Sequence, residues 1–79
     1  MINKDTKMGL QEYKDGVASI REIFEEFPNV SNSYWESEYT RCANERLYWL
    51  KMSDYAMSDW YEGRVDAIIS ILKRDVFVL

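Results

Sequence analysis

The only proline of this 79-residue chain, Pro28, divides it into two segments that both have the apolar period of an α-helix. Before it, the apolar residues recur every three or four positions, as on one helix face: Leu10, Tyr13, Val17, Ile20, Phe24 and Phe27. Proline disfavours helical geometry at the preceding residue. The sequence therefore predicts an amphipathic helix over about residues 6–27. Because Gly16 weakens this helix by roughly 1 kcal/mol relative to alanine, packing must hold it in place.

After Pro28 the chain has neither proline nor glycine until Gly63. Ser33 to Glu36 has the spacing of a capping box, which predicts a helix start there. The apolar phase then continues to about residue 75 without a slip, which favours one helix of about 40 residues. Cap residues at Ser53-Asp54 and a second capping box over Asp59–Glu62 favour a break. The expected fold is a small all-α helical bundle with one long or two consecutive helices over about residues 33–75.

The size of the chain predicts a single domain over residues 1–79, close to the lower limit for a self-sufficient core. Such domains usually need a disulfide, a metal or self-association. With Cys42 as the only cysteine and no histidine, an internal disulfide and the usual zinc ligands are excluded. One long second helix would expose apolar surface and predicts a four-helix homodimer, whereas a break near Ser53 predicts a three-helix monomer.

Charge and composition narrow the classes of function. The formal net charge is −4, and the first 40 residues hold eight acidic and four basic groups. This balance argues against direct nucleic-acid binding and membrane attachment, which need clustered Lys and Arg. The absence of histidine removes the commonest general base, so we expect neither an enzyme nor a cofactor. A polar N-terminus, no apolar run long enough for a bilayer and an unpaired cysteine predict a cytoplasmic protein without membrane insertion.

Aromatic residues are the main candidates for a functional site. Eight lie within 28 residues: Tyr34, Trp35, Tyr39, Tyr48, Trp49, Tyr55, Trp60 and Tyr61. Tyrosine and tryptophan are typical anchors of protein interfaces. On a helical wheel Tyr34, Tyr48, Met52 and Tyr55 lie opposite the apolar side, where apolar groups are unexpected unless something covers them. We predict that these four side chains bind a partner, unless the rest of the bundle covers them or they are simply tolerated in solvent.

Glu22, Glu25 and Glu26 form an acidic cluster that would favour a basic partner protein. The alternatives are an acidic mimic of nucleic acid and an ordinary solvated helix face. The apolar side of the helical region after Pro28 includes Tyr39, Ala43 and Leu50. On the same side, we expect Cys42 to be a buried structural thiol. Arg64 and Arg46 are expected to bury their stems on the same side and reach an acidic group, within the chain or across a dimer.

Two features lie near the end of the chain. Gly63 precedes an apolar helical stretch and predicts a close approach between two helices. The apolar end at residues 76–79 is expected to fold back onto the bundle or to dock on a partner.

The run Tyr61-x-Gly63-Arg64-x-Asp66-Ala67-Ile68, within Trp60–Leu72, resembles the helical ends of many small phage-encoded proteins. It covers about a sixth of the chain. The resemblance implies a host-takeover or counter-defence protein that binds and inhibits one bacterial protein in the host cytoplasm, and it implies no site residues. Two other functions stay open: a structural homodimer or small assembly subunit without inhibitory activity, and an acidic nucleic-acid mimic.

Overall fold

The computed structural model describes residues 3–73, with side chains from Leu10 onward. Over this range the chain consists of three helices and no strand: α1 (Asn3–Glu26), α2 (Asn32–Lys51) and α3 (Tyr55–Leu72). α3 packs against both α1 and α2, whereas α1 and α2 make no close backbone contact with each other. The predicted all-α bundle is therefore confirmed, with α3 as its common element.

The segment after Pro28 forms two helices, and the turn between them explains the break. The Asp54 N–H donates to the Trp49 carbonyl at 2.9 Å, and the Ser53 N–H donates to the Leu50 carbonyl at 3.0 Å. This pair of bonds is a Schellman motif, in which the residue after the C-cap adopts a left-handed conformation. Ser53 does so with φ of 61°. Of the two expectations, the break near Ser53 is the one that the structure adopts.

The predicted cap site at Ser53-Asp54 is confirmed, whereas the two predicted capping boxes are not. Ser31, with extended φ and ψ, is the N-cap of α2, and its Oγ accepts the Tyr34 N–H at 3.4 Å. Asp54 caps α3 by accepting the Met57 N–H at 3.1 Å. Both predicted capping boxes are therefore wrong, because their residues already lie inside helices and an N-cap needs non-helical backbone.

The outer limits of the helices also shift slightly. α1 begins at Asn3, three residues before the predicted start, and ends at Glu26. α3 ends at Leu72, with Lys73 as its C-cap. The predicted helix end near residue 75 and the apolar segment 76–79 lie outside the described residues.

The core contains residues of all three helices: Val17, Ile20, Trp35, Cys42, Val65, Ala67, Ile68 and Ile71. The predicted stripe on α1 is buried only in its middle. Leu10 and Phe27, at its two ends, are 47% and 54% exposed. The closest approach of α3 to α1 lies at Gly16 and Gly63, near the middle of this stripe.

Two glycines place α1 directly against α3. A Cβ at Gly16 would overlap the backbone carbonyl of Trp60, and a Cβ at Gly63 would overlap that of Tyr13. The arrangement is reciprocal: each glycine faces the carbonyl of the residue that lies three positions before the glycine of the other helix. The close approach predicted for Gly63 is confirmed, and Gly16 is its counterpart on α1.

Arg64 joins the three helices from inside the bundle. It is 8% exposed. Its Nη1 donates to Ser19 Oγ on α1 at 2.8 Å, and its Nε donates to Cys42 Sγ on α2 at 3.4 Å. Its Nη2 lies 3.7 Å from Glu38, and the guanidinium stacks 4.8 Å from the centre of the Trp60 ring. The predicted acidic partner of Arg64 is therefore Glu38 of the same chain, and Cys42 is the buried thiol that was expected.

Candidate interaction surface

The exposed apolar surface is concentrated on α2 and the turn that follows it. Nine large apolar side chains are exposed among those described, and only Leu10 and Phe27 lie outside this region. The others are Tyr34, Tyr39, Leu47, Tyr48, Leu50, Met52 and Tyr55. A cluster of this kind, unlike single scattered apolar residues, is typical of an interaction site.

The four predicted apolar contact residues are all exposed, but they do not lie together. Tyr34 is in the first turn of α2, and Tyr48 follows it by 14 residues, or about 21 Å along the helix axis. Met52 is the C-cap of α2, one turn after Tyr48, and Tyr55 is the first residue of α3. We call Tyr48, Met52 and Tyr55 the corner surface; their exposed fractions are 52%, 58% and 61%.

The predicted acidic residues belong to a different part of the molecule. Glu22, Glu25 and Glu26 are exposed in the last turns of α1, next to the connection that leads into α2. The corner surface lies at the other end of α2. The seven predicted partner-binding residues therefore form no single surface.

Neighbouring aromatic rings support two of the tyrosines. Tyr48 makes an edge-to-face contact with Trp49, with ring centres 4.9 Å apart, and Trp49 Nε1 donates to Glu45 at 3.0 Å. Tyr34 meets Trp35 in the same way at 5.0 Å. These contacts limit the motion of the tyrosine rings. An aromatic side chain held in this way loses little conformational entropy when a partner covers it.

Sequence reasoning missed a second apolar face on α2. It placed Tyr39, Ala43 and Leu50 on the buried side, yet Tyr39 and Leu50 are 38% and 43% exposed. It also left out Leu47, which is 53% exposed. At 100° per residue the four lie within an arc of about 80°, roughly opposite Tyr48 and Met52. Their spacing of 4, 4 and 3 residues is the helical period, so the sequence could have revealed this face. We call these four residues the second apolar face of α2.

Among the described residues, three titratable groups have a shifted pKa, and none belongs to the corner surface: Tyr13, Asp59 and Arg41, whose hydrogen bond to Glu38 on α2 raises its pKa. Tyr13 Oη donates to Asp66 at 2.7 Å, and this hydrogen bond raises the pKa of Tyr13 to about 12. Burial, and then the charge of Glu12, raises the pKa of Asp59. The described side chains contain no group of three or more potential metal ligands. Tyr13 and Asp59 belong to the contact between α1 and α3, Arg41 belongs to an ion pair within α2, and we assign no chemistry to them.

No family model, curated protein or solved structure matches this chain. Within residues 3–73, no helix combines the length and apolar character needed to cross a bilayer. The function must therefore be inferred from the surface geometry itself.

Proposed function

We propose that this chain is a small protein-binding module, that its corner surface inserts into an apolar pocket of another protein, and that the partner is a bacterial host protein which it inhibits. The observation that carries the proposal is the exposure of Tyr48, Met52 and Tyr55, each more than half open to solvent in a region of eight residues. The likeness of Trp60–Leu72 to phage-encoded proteins supports the inhibitory role.

The chemistry of the corner favours apolar recognition. Tyrosine offers a large rigid body with a polar tip, and methionine adapts its shape to an irregular pocket. Lys51 and Asp54 are the charged residues between Tyr48 and Tyr55, and their charges cancel. Affinity would therefore come from burying apolar area, and binding would depend little on salt.

The corner is also free to be used for binding. The ring of Tyr48 contacts that of its neighbour Trp49, and none of the three side chains belongs to the core of the bundle. Replacing them leaves the packing of α3 against α1 and α2 in place. Loss of binding can therefore be separated from loss of folding.

The test is affinity capture from a bacterial lysate with three immobilised proteins: the wild type, a Tyr48→Ser/Tyr55→Ser variant and a Tyr39→Ser control. Truncating an anchor tyrosine typically costs more than about 1 kcal/mol of binding, so the double variant should recover at least about tenfold less of the captured protein. The control removes an exposed tyrosine from the opposite side of α2 and should recover as much as the wild type.

Equal recovery by the double variant, with its helical circular dichroism unchanged, would contradict the role of the corner. The inhibitory role has a separate readout. Expression of the wild type in bacteria should slow growth, and expression of the double variant to the same level should not. Normal growth with the wild type would contradict inhibition and leave the binding result intact.

A further inference from the structure

Within the described residues, the second apolar face of α2 stays open to solvent, and the proposed function does not use it. Tyr39, Leu47 and Leu50 are exposed there, around the half-buried Ala43. Ala43 is small and lies in the middle of the face, so another helix can approach closely at this point. The face lies on the other side of α2 from Tyr48 and Met52, and both surfaces can therefore be occupied at once.

Opposite charges mark the two ends of this face. Glu36 lies one turn before Tyr39 and Lys51 lies one turn after Leu47, on the same side of the helix. Both are exposed. Among the described residues neither takes part in a salt bridge, since those found join Glu38 to Arg41 and to Arg64.

We propose that a second copy of this chain binds this face, so that two α2 helices pack antiparallel around a two-fold axis near Ala43. In this arrangement Glu36 faces the partner's Lys51, and Lys51 faces the partner's Glu36. Tyr39 packs against the partner's Leu47 and Leu50. A two-fold interface requires a surface that is complementary to itself.

The charge pattern favours a second copy of this chain as the partner of the second apolar face. Glu36 lies seven residues before Ala43 and Lys51 lies eight residues after it, about 10.5 and 12 Å along the helix axis, so the face closely complements its own image in the antiparallel orientation. A parallel pair would place Glu36 against Glu36 and Lys51 against Lys51, which is repulsive. One helix face is smaller than a standard stable interface, so the dimer dissociates on dilution.

The experiment is light scattering of the purified chain over a wide range of concentrations, for the wild type, Glu36→Lys, Lys51→Glu and the double reversal. The wild type should approach twice the 9.5 kDa chain mass as concentration rises. Each single reversal turns two symmetry-related attractions into repulsions and should raise the dimer dissociation constant by about tenfold. The double reversal restores opposite charges across the axis and should return the constant to within about threefold of wild type.

Two further variants locate the interface. Leu47→Glu places a charge in the middle of the face and should leave a monomer, whereas Tyr48→Ser on the opposite side should dimerise like the wild type. A wild type that stays monomeric at every concentration would overturn the proposal. So would a dimer that tolerates Leu47→Glu, or one in which the double reversal is as weak as the single ones. None of these outcomes bears on target capture through the corner surface.

Discussion

Two regions of the molecule contain a residue that is unfavourable for its local backbone: the crossing of α1 with α3, and the corner between α2 and α3. The reasons are opposite. At the crossing, Gly16 and Gly63 lack side chains because the backbone of the other helix fills the space. At the corner, Ser53 takes a left-handed conformation although nothing confines its side chain, which is exposed. At the crossing, the two glycines lower helix propensity but allow the helices to pack closely. At the corner, the strained turn at Ser53 lies between two exposed tyrosines, Tyr48 and Tyr55.

Two arginines show the same contrast between a confined and a solvent-exposed environment. Arg64 and Arg41 both pair with Glu38, at 3.7 Å and 2.9 Å. The side chain of Arg41 is 51% exposed, whereas that of Arg64 is 10% exposed and bonded to residues of two other helices. Arg64 makes the longer ion pair, yet we expect it to contribute more to the stability of the fold than Arg41. Distance alone is a poor guide to stability, because solvent screens the exposed pair.

The largest expected effect tests the close crossing. Gly63→Ala and Gly16→Ala should each lower the free energy of unfolding by about 3 kcal/mol or more, because a new Cβ would meet backbone that cannot move aside locally. At an open helix position the same change would instead stabilise by about 1 kcal/mol. Urea denaturation measures the difference, with Ser37→Ala on the exposed side of α2 as the control. If either glycine variant proved as stable as wild type, the helices could not approach as described.

The second test sharpens the comparison of the arginines. Arg64→Met should cost about 2–3 kcal/mol, because Ser19 Oγ and Cys42 Sγ lose their buried donor and Glu38 keeps only the exposed Arg41 as a partner. Arg41→Met removes the other partner of Glu38 and should cost less than about 1 kcal/mol. Chemical denaturation of both variants under the same conditions measures the two losses in free energy of unfolding and so their ratio. Equal losses would mean that Arg64 does not join the three helices.

A smaller effect of opposite sign is expected at the corner. Ser53→Gly should raise stability by about 0.5–1 kcal/mol, because glycine adopts the left-handed conformation without the Cβ penalty. Ser53→Ala keeps that penalty and serves as the matched control, with no gain expected. Thermal unfolding monitored by circular dichroism separates the two. A loss of stability in the glycine variant would argue against the Schellman turn.

The smallest effect concerns pH at the contact between α1 and α3. Since folding raises the pKa of Asp59, its contribution to stability is complete below the ordinary aspartate pKa of about 3.9 and is lost as pH rises through the folded value. Asp59→Asn should therefore give a small gain in melting temperature at neutral pH that disappears in acid. Glu62→Gln, on the exposed side of α3, is the control. A gain that persists in acid would point to a cause other than ionisation.

Much of the fold could be read from local patterns. The α1 stripe, the end of that helix before Pro28, the burial of Cys42 and the role of Gly63 all agree with the structure. The exposure of Tyr34 and Tyr48 also followed from the helical wheel. These features depend on residues within a few turns of one another, where spacing directly predicts which face a side chain occupies.

Other features depended on how the helices cover each other. The exposed Tyr39 and Leu50 were placed on the buried side, because periodicity identifies an apolar face but not whether a helix lies against it. The two capping boxes were misplaced for a local reason: several serines and aspartates offered equivalent caps.

By itself the sequence determined an all-α chain with a first helix ending before Pro28, and it limited the rest to one helix or two. Only the tertiary structure decided that the chain turns at Ser53, that α3 is the shared packing partner and that α2 keeps two open apolar faces. The physical reason is that helix periodicity arises from bonds between residues about four apart. Burial arises from contacts between residues far apart in the chain, such as Arg64 with Ser19, which no local pattern specifies.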